Sequence, residues 1–134
     1  MHPSNASHVD SGSEHGETGA CGGWTGGSTL RFMSQRLGLN RTQVGELARI
    51  LNDMDTERAQ VAVDDRRALS ALADAIAGEA FDPARAAEGA RLRVGSAERL
   101  RDAALKALQQ THSILDAEQR AGLAYLLRTG SLSI

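Results

Sequence analysis

The sequence predicts an all-α protein: an elongated antiparallel helical hairpin with one short helix before it and one after it. Three observations indicate this fold. Aromatic residues make up only 3% of the 134 residues, so few of the side chains that favour strands are present. Alanine, leucine, arginine and glutamate, which favour helices, dominate from about residue 29 onward. Apolar residues also recur at helical spacing in two long stretches.

Residues 1–27 are predicted to form a disordered tail ahead of a helical domain at residues 28–134. The tail is rich in glycine, serine, histidine and acidic residues, so ordering it would cost conformational entropy that no core offsets. Trp24 is the exception, an isolated aromatic residue suited to docking on the helical domain. No basic or apolar region of a secretory signal is visible at the start, which favours a cytoplasmic protein.

The first two helices are predicted from apolar periodicity and from their boundary residues. A short helix spans Thr29 to about Leu37, and Gly38 ends it. The second helix begins after Asn40 and continues to about Glu79, a length of roughly 58 Å. A compact globule cannot enclose a rod of that length, so we expect an elongated molecule. The predicted buried stripe of the second helix is Val44, Leu47, Leu51, Met54, Val61, Leu69, Leu72 and Ile76.

The third helix is predicted to start at Asp82 and Pro83 and to continue towards His112, with a bend at Gly95-Ser96. The fourth follows Asp116 and ends at Gly130. Long helices joined by a short turn lie antiparallel, and so thin a core favours a homodimer that covers its apolar stripe. The residues predicted to be buried are Ala86, Ala90, Val94, Ala97, Leu100, Ala104, Leu105 and Leu108 in the third helix, and Ala121, Leu123, Ala124, Leu126 and Leu127 in the fourth.

Composition and motifs exclude several classes of function. The net charge of −2 provides no overall basic field for nucleic acid, and no apolar run of about 18 residues exists to span a membrane. No nucleophile, phosphate-binding or zinc-protease motif occurs, so we expect neither an enzyme nor a required cofactor. The possible ligands for Zn, Ni or Cu are His2, His8, His15 and Cys21. Their wide spacing leaves a merely polar leader as the alternative.

One short pattern occurs twice, 76 positions apart. Each copy has a leucine, a preferred helix N-cap residue, two spacers and a glutamine that can close a capping box. Two ordinary helix starts would explain this pattern without any further role. The copies are Leu39-Asn40-Arg41-Thr42-Gln43 and Leu115-Asp116-Ala117-Glu118-Gln119.

The paired motifs, opening the second and last helices of a small four-helix protein, resemble the L-T-x-x-Q motifs of the Spy/CpxP family over roughly residues 30–130. Asn40 and Asp116 replace the usual threonine. The resemblance implies a periplasmic, ATP-independent, dimeric chaperone that holds partly unfolded clients. The alternative that the resemblance implies is a periplasmic heavy-metal sensor or resistance accessory protein. A structural helical-hairpin adaptor for a regulatory protein is a further alternative, and without a visible leader a cytoplasmic location stays open.

The client-binding face that the resemblance implies mixes apolar and basic side chains. Guanidinium groups pair with carboxylates, stack on aromatic rings and lay their stems on apolar surface, which suits weak and promiscuous contact. Alternatively, these arginines pair with neighbouring acids such as Glu98 and Asp102 on a solvated face. The candidate client-binding residues are Arg49, Arg58, Arg66, Arg91, Arg93, Arg101, Leu51 and Met54.

Overall fold

The computed structural model of the chain describes residues 26–133, which fold into four helices without a strand in that range. The helices are α1 (Gly26–Leu37), α2 (Arg41–Ala77), α3 (Pro83–Ile114) and α4 (Ala117–Arg128). The predicted all-α hairpin with a short helix at each end is therefore confirmed. Residues 1–25 and 134 lie outside the described residues, so the division into tail and domain at residue 27 stays a prediction.

The helix boundaries follow from capping chemistry. The side chain of Asn40 accepts a hydrogen bond from the Gln43 backbone N–H at 2.8 Å, and Asp116 does the same for Gln119 at 2.8 Å. Asp82 caps α3 by accepting from the Arg85 N–H at 3.1 Å. Gly38 ends α1 with a φ of 63°, a conformation that glycine adopts without strain. The predicted caps are thus confirmed.

The two long helices form an antiparallel pair. Their cross-helix contacts run in opposite chain directions: Arg99 pairs with Glu57, while Arg85 pairs with Asp74. The 37 residues of α2 correspond to about 56 Å, close to the predicted length. α3 continues as one helix through Gly95. We call the end near residues 40 and 115 the base and the end at residues 78–82 the tip.

The base contains the large apolar core. α1 packs on α2 and on α4, and this closes a cluster whose fully buried members include Met33, Leu47, Ile50 and Met54. Leu115 and Leu132 are buried in the same cluster. Burial of one such side chain stabilises the fold by about 1.5–3 kcal/mol, so most of the apolar stabilisation of the hairpin arises at the base.

Towards the tip the helices meet through small residues instead. The buried positions there are Ala68, Ala71, Ala75, Gly89 and Ser96. A Cβ on Gly89 would lie only 2.9 Å from the Ala68 carbonyl oxygen, so glycine permits the two backbones to approach closely. The Ser96 hydroxyl has no hydrogen-bond partner among the described residues.

This close seam contradicts part of the predicted core. Large side chains do not fit between such near backbones, so they lie beside the seam rather than in it. Ala90, Ala97 and Ala121 were also predicted to be buried and are exposed. The large residues near the tip that were wrongly predicted as buried, with their exposed fractions, are Leu69 (55%), Ile76 (73%) and Val94 (59%). Leu105, in the base half of α3, was also predicted to be buried and is 59% exposed, because it lies about 200° around the helix from the buried Ala107.

Candidate functional site

The two repeated motifs meet at the base, where their glutamine side chains bond to each other. Gln43 Nε2 donates to Gln119 Oε1 at 2.7 Å, and Gln119 Nε2 donates to Gln43 Oε1 at 3.1 Å. Each amide therefore acts as both donor and acceptor across 76 residues of chain. We call this reciprocal pair the glutamine clasp.

Each glutamine of the clasp also serves its own helix and the end of another helix. Gln43 Oε1 accepts from the Asn40 N–H at 2.9 Å, and its Nε2 donates to the Ile114 carbonyl oxygen at 2.8 Å. Gln119 repeats the arrangement with the Asp116 N–H at 3.0 Å and the Gly38 carbonyl oxygen at 3.4 Å. The clasp thus satisfies backbone groups at the ends of all four helices.

The motif leucines lie in the core at the clasp. Leu115 is buried and Leu39 packs against the same cluster. Local spacing predicted both caps, but it did not predict that the two motifs form one site. The repetition itself was the available signal, since two identical cap patterns that both open helices at the base end can come together there.

The predicted client-binding residues differ in their exposure and in their ion pairs. Leu51 and Met54 lie in the core, only 3% and 2% exposed, so they present almost no surface to a client. Arg49 pairs with Glu46 at 2.9 Å, and the hydrogen bond from that carboxylate raises the pKa of Arg49 above its usual value. Arg101 pairs with its neighbour Asp102 at 3.0 Å.

The other four predicted arginines, Arg58, Arg66, Arg91 and Arg93, have no ion pair with an acidic side chain of residues 26–133. Arg58 is half-buried, and its Nε is shielded from solvent without a hydrogen-bond acceptor in the described part of the chain. The predicted solvated ion pairs are therefore present for some arginines and absent for these four.

One face of α2 carries a line of four apolar residues and Asp55, half-buried at the base and exposed towards the tip. Ala48, Asp55, Ala62, Leu69 and Ile76 recur every seven positions of α2, which keeps them on one side of the helix. α1 covers the base half of this line, because Gly27 lines a small groove together with Ala48 and Asp55. Leu69 and Ile76 continue the same line without a covering helix.

The matching side of α3 carries Leu108, Arg101 and Val94, again at intervals of seven. Leu108 packs against the base core, whereas Val94 is exposed. Gly89 lies against α2 at Ala68 and Leu72. Val94 is five residues further along α3, in the direction of the base. Because the two helices are antiparallel, Val94 is about 6 Å from Leu69 when the distance is measured along the hairpin axis. We call this uncovered surface the distal strip; it consists of Arg58, Leu69, Ile76, Val94 and Arg101.

The opposite face of the hairpin is polar. Arg99 bridges Glu57 at 3.1 Å and Asp64 at 3.8 Å across the two helices. Arg85 pairs with Asp74 at 3.0 Å and Glu88 at 2.7 Å, and the Asp74 hydrogen bond raises its pKa. An open groove of about 570 Å³ lies on this face, with Ile50 and Met54 among its lining residues.

The predicted metal ligands His2, His8, His15 and Cys21 lie outside the described residues. Within residues 26–133, no three histidine, cysteine or acidic side chains come together in a way that could hold a metal ion. His112 is exposed on the last turn of α3, and its carbonyl oxygen accepts from Arg120 Nε at 3.2 Å. None of the four helices in the described range combines the length and the apolarity needed to cross a membrane.

The motif pair and the four helices agree with a family comparison. The profile of the LTXXQ motif family matches residues 25–127, a range that contains both halves of the glutamine clasp. The chain belongs to the LTXXQ motif family. This profile is the signature of Spy/CpxP-type proteins, so the predicted resemblance is confirmed. Comparison with curated proteins and with solved structures gives no match.

Within the LTXXQ family, the motif of this chain keeps the glutamines and changes the residue before the spacers. Asn40 and Asp116 stand where the family motif has threonine, and both hold the cap hydrogen bond. Sequence reasoning missed the distal strip because it placed Leu69, Ile76 and Val94 in the core. The alanines at 68, 71 and 75 were the signal that could have indicated a closer seam.

Proposed function

We propose that this LTXXQ family protein is a non-catalytic, ATP-independent, Spy/CpxP-like chaperone that binds partly unfolded clients in the periplasm. The distal strip is the observation that supports the proposal. It places Leu69, Ile76 and Val94, each more than half exposed, beside Arg58 and Arg101. Unfolded chains offer both apolar side chains and carboxylates, and a mixed surface of this kind contacts both weakly.

The energy available from one strip argues for a dimer. Covering the three exposed apolar side chains would contribute about 3–5 kcal/mol from their remaining exposed area. Association costs at least about 4 kcal/mol in lost translational and rotational freedom. One strip therefore holds a client poorly, whereas a homodimer presenting two strips doubles the favourable term for a single association cost. We accordingly propose a homodimer as the active form.

A light-scattering assay tests the chaperone proposal. The full chain is mixed at stoichiometric ratio with a chemically denatured client, and aggregation is followed on dilution. We expect suppression by the wild type and loss of suppression in a Leu69→Asp, Val94→Asp double variant. The matched control is the Ser70→Asp, Gly95→Asp double variant, which adds the same two charges at exposed neighbouring positions about 100° around α2 and α3. A wild-type protein that does not suppress aggregation would refute the chaperone role.

The proposed dimer has a separate measurement. Sedimentation of the full chain over a range of concentrations gives the oligomeric state without any client. A mass of one chain at every concentration used in the scattering assay would contradict the two-strip account.

Metal sensing or metal resistance is the second candidate function, favoured by the three histidines and one cysteine within the first 21 residues. Imidazole and thiolate are suitable ligands for Zn, Ni and Cu. Calorimetric titration with each metal tests this candidate in the full chain and in a His8→Ala, His15→Ala, Cys21→Ser variant. His112→Ala is the control. Equal affinity in both variants and the wild type would place metal binding elsewhere in the chain. An absence of metal binding, together with a failed aggregation assay, would leave a helical-hairpin adaptor as the remaining alternative.

A further inference from the structure

The tip of the hairpin presents two large apolar side chains to solvent. Ile76 is 73% exposed, the highest value among the large apolar residues in the described range, and Phe81 is 60% exposed. The Asp82 N–H donates to the Ala75 carbonyl oxygen at 3.0 Å, which closes the turn and holds the Cα atoms of Ile76 and Phe81 within about 8 Å of each other. The two side chains therefore form one exposed apolar pair at the end of the molecule.

The charged side chains near this apolar pair are mainly carboxylates. Residues 74–88 contain four acidic residues and one basic residue. The basic residue, Arg85, is already paired with two of the acids, whereas Glu79 forms no ion pair with any described side chain. Asp82 is exposed beside Phe81. The C-terminal end of a helix adds partial negative charge, and α2 has no basic residue in its last turn.

The adjoining part of the hairpin has the opposite charge. Residues 58–67 and 91–101 lie at the same level of the two long helices, where Arg99 bridges to α2, and they contain seven arginines and three acidic residues. The arginines of the distal strip belong to this level. Because like charges brought together are unfavourable, the distal strip and the tip select partners of opposite charge.

We propose that the tip surface, formed by Ile76, Glu79, Phe81 and Asp82, binds a basic amphipathic helix of another protein. Such a helix carries apolar side chains three or four positions apart, about 5–6 Å between their Cβ atoms, and this spacing fits the pair Ile76 and Phe81. Its lysines or arginines flank the apolar stripe and meet Glu79 and Asp82. An anionic lipid surface is a poor match, because its charge has the same sign as that of the tip.

Fluorescence anisotropy with two synthetic peptides tests this surface in the full chain. The first is a dye-labelled peptide of leucine and lysine, about 14 residues or four helical turns long, with its leucines on one face. The second has glutamate in place of every lysine. We expect the lysine peptide to bind through the tip and to lose affinity as the salt concentration rises, since exposed charges are screened. A lysine peptide that does not bind would overturn the proposal.

Phe81→Ser removes the aromatic anchor of the tip surface. We expect it to weaken binding of the lysine peptide about tenfold and to change the affinity for the glutamate peptide less than about twofold. The matched control is Tyr125→Ser, which removes a similarly exposed aromatic ring (64%) from α4. Circular dichroism verifies the helix content of each variant. Equal losses in the two variants, or no loss in Phe81→Ser, would overturn the proposal.

Glu79→Lys reverses a charge beside the apolar pair, and we expect it to weaken binding of the lysine peptide at least several-fold at about 0.1 M salt. The matched control is Glu98→Lys, which makes the same change of net charge at an exposed position. Glu98 lies about 24 Å along α3 from Asp82, more than two Debye lengths away at that salt concentration. Equal effects of the two reversals would show attraction to net charge alone and would overturn the tip as the site.

Two results would assign the tip to a different partner and so overturn the proposal. The first is a dimer of the wild type that sediments as a single chain in Phe81→Ser, which would place a second copy on the tip. The second is cosedimentation of the wild type, but not of Phe81→Ser, with phosphatidylcholine vesicles, which would indicate insertion into lipid.

The tip surface does not rest on the proposed chaperone function. Phe81 and Glu79 lie outside the distal strip, so we expect the Leu69→Asp, Val94→Asp variant to bind the lysine peptide at least as tightly as the wild type does. Binding of the lysine peptide that depends on Phe81, together with a failed aggregation assay, would support the tip surface and reject the chaperone function.

Discussion

Replacing Gln43 by glutamate separates helix capping from the glutamine clasp, because the two roles predict opposite signs. A glutamate at this position still accepts the Asn40 N–H bond of the capping box. Its negative charge at a helix N-terminus is favourable by about 0.3–1 kcal/mol. If capping were the whole role of Gln43, the Gln43→Glu variant would be as stable as the wild type or slightly more stable.

The clasp predicts a loss of stability instead. The Gln43 Nε2 group donates at 2.8 Å to the Ile114 carbonyl oxygen and at 2.7 Å to Gln119 Oε1. A carboxylate can donate neither bond, and it would place a charged oxygen against two carbonyl oxygens. At about 1 kcal/mol for each lost hydrogen bond, with added repulsion, the loss exceeds the gain from the helix dipole. We expect Gln43→Glu to lower the free energy of unfolding by about 1.5–3 kcal/mol.

The effect of this variant should depend on pH. The two carbonyl oxygens disfavour the charged carboxylate, so the pKa of the new side chain in the folded state is raised above its unfolded value of about 4.3. The protonated acid can donate one of the two lost bonds. The loss of stability is therefore smallest below the unfolded pKa, and it grows as the pH rises through the folded pKa.

Urea denaturation followed by circular dichroism, from about pH 4 to pH 8, measures both expectations. The matched control is Thr42→Glu, which adds the same charge at an exposed position of the first turn, where α2 has no acidic residue. We expect this control to stabilise the protein by about 0.3–1 kcal/mol at neutral pH. A Gln43→Glu variant that behaves like Thr42→Glu would show that the bonds across the clasp contribute nothing to stability.

Four further substitutions test the seam and the α3 cap by the same denaturation experiment. Gly89→Ala should destabilise the fold by about 1–3 kcal/mol, because the added Cβ meets the backbone of α2. Gly95→Ala, at an open position of α3, should stabilise the fold by about 0.5–1 kcal/mol. Equal effects of the two substitutions would contradict the close approach at Gly89. Ser96→Ala should stabilise the fold by up to about 1 kcal/mol, because it removes a buried hydroxyl without a partner, and a clear loss of stability would reveal a partner for that hydroxyl. Asp82→Ala should cost about 1 kcal/mol through the lost α3 cap, and an unchanged midpoint would show that Pro83 alone fixes the helix start.

The helices and their boundaries could be predicted because they depend on local chemistry. Asn40, Asp82 and Asp116 each form the cap hydrogen bond that their residue type favours. Gly38 ends α1 because it can adopt a positive φ. These interactions join residues within four positions of each other, so the sequence contains both partners. The start of α1 at Gly26, three residues before the predicted Thr29, is the exception, since glycine gives no local helix signal.

The distal strip and the clasp could not be predicted in the same way, because both depend on contacts between distant residues. Leu69 and Val94 belong to apolar patterns that fit a helix face equally well whether the seam runs through them or beside them. The close approach of the two helices at Gly89 decides between these two arrangements. That approach can be known only when the position of α2 relative to α3 is known. The Gln43–Gln119 bond likewise requires the relative position of two helix starts.

The unequal construction of the two ends of the hairpin has a consequence for its motions. Ala68, Ala71 and Ala75 bury little apolar area compared with the Met33 and Leu47 cluster, so separating the helices near residues 78–82 costs far less than unfolding the other end. Backbone amides near Gly89 should accordingly exchange with solvent deuterium through local opening, while those near Ile50 should exchange only on global unfolding. We therefore expect the helices to stay packed at the base while the distance between α2 and α3 varies near the tip.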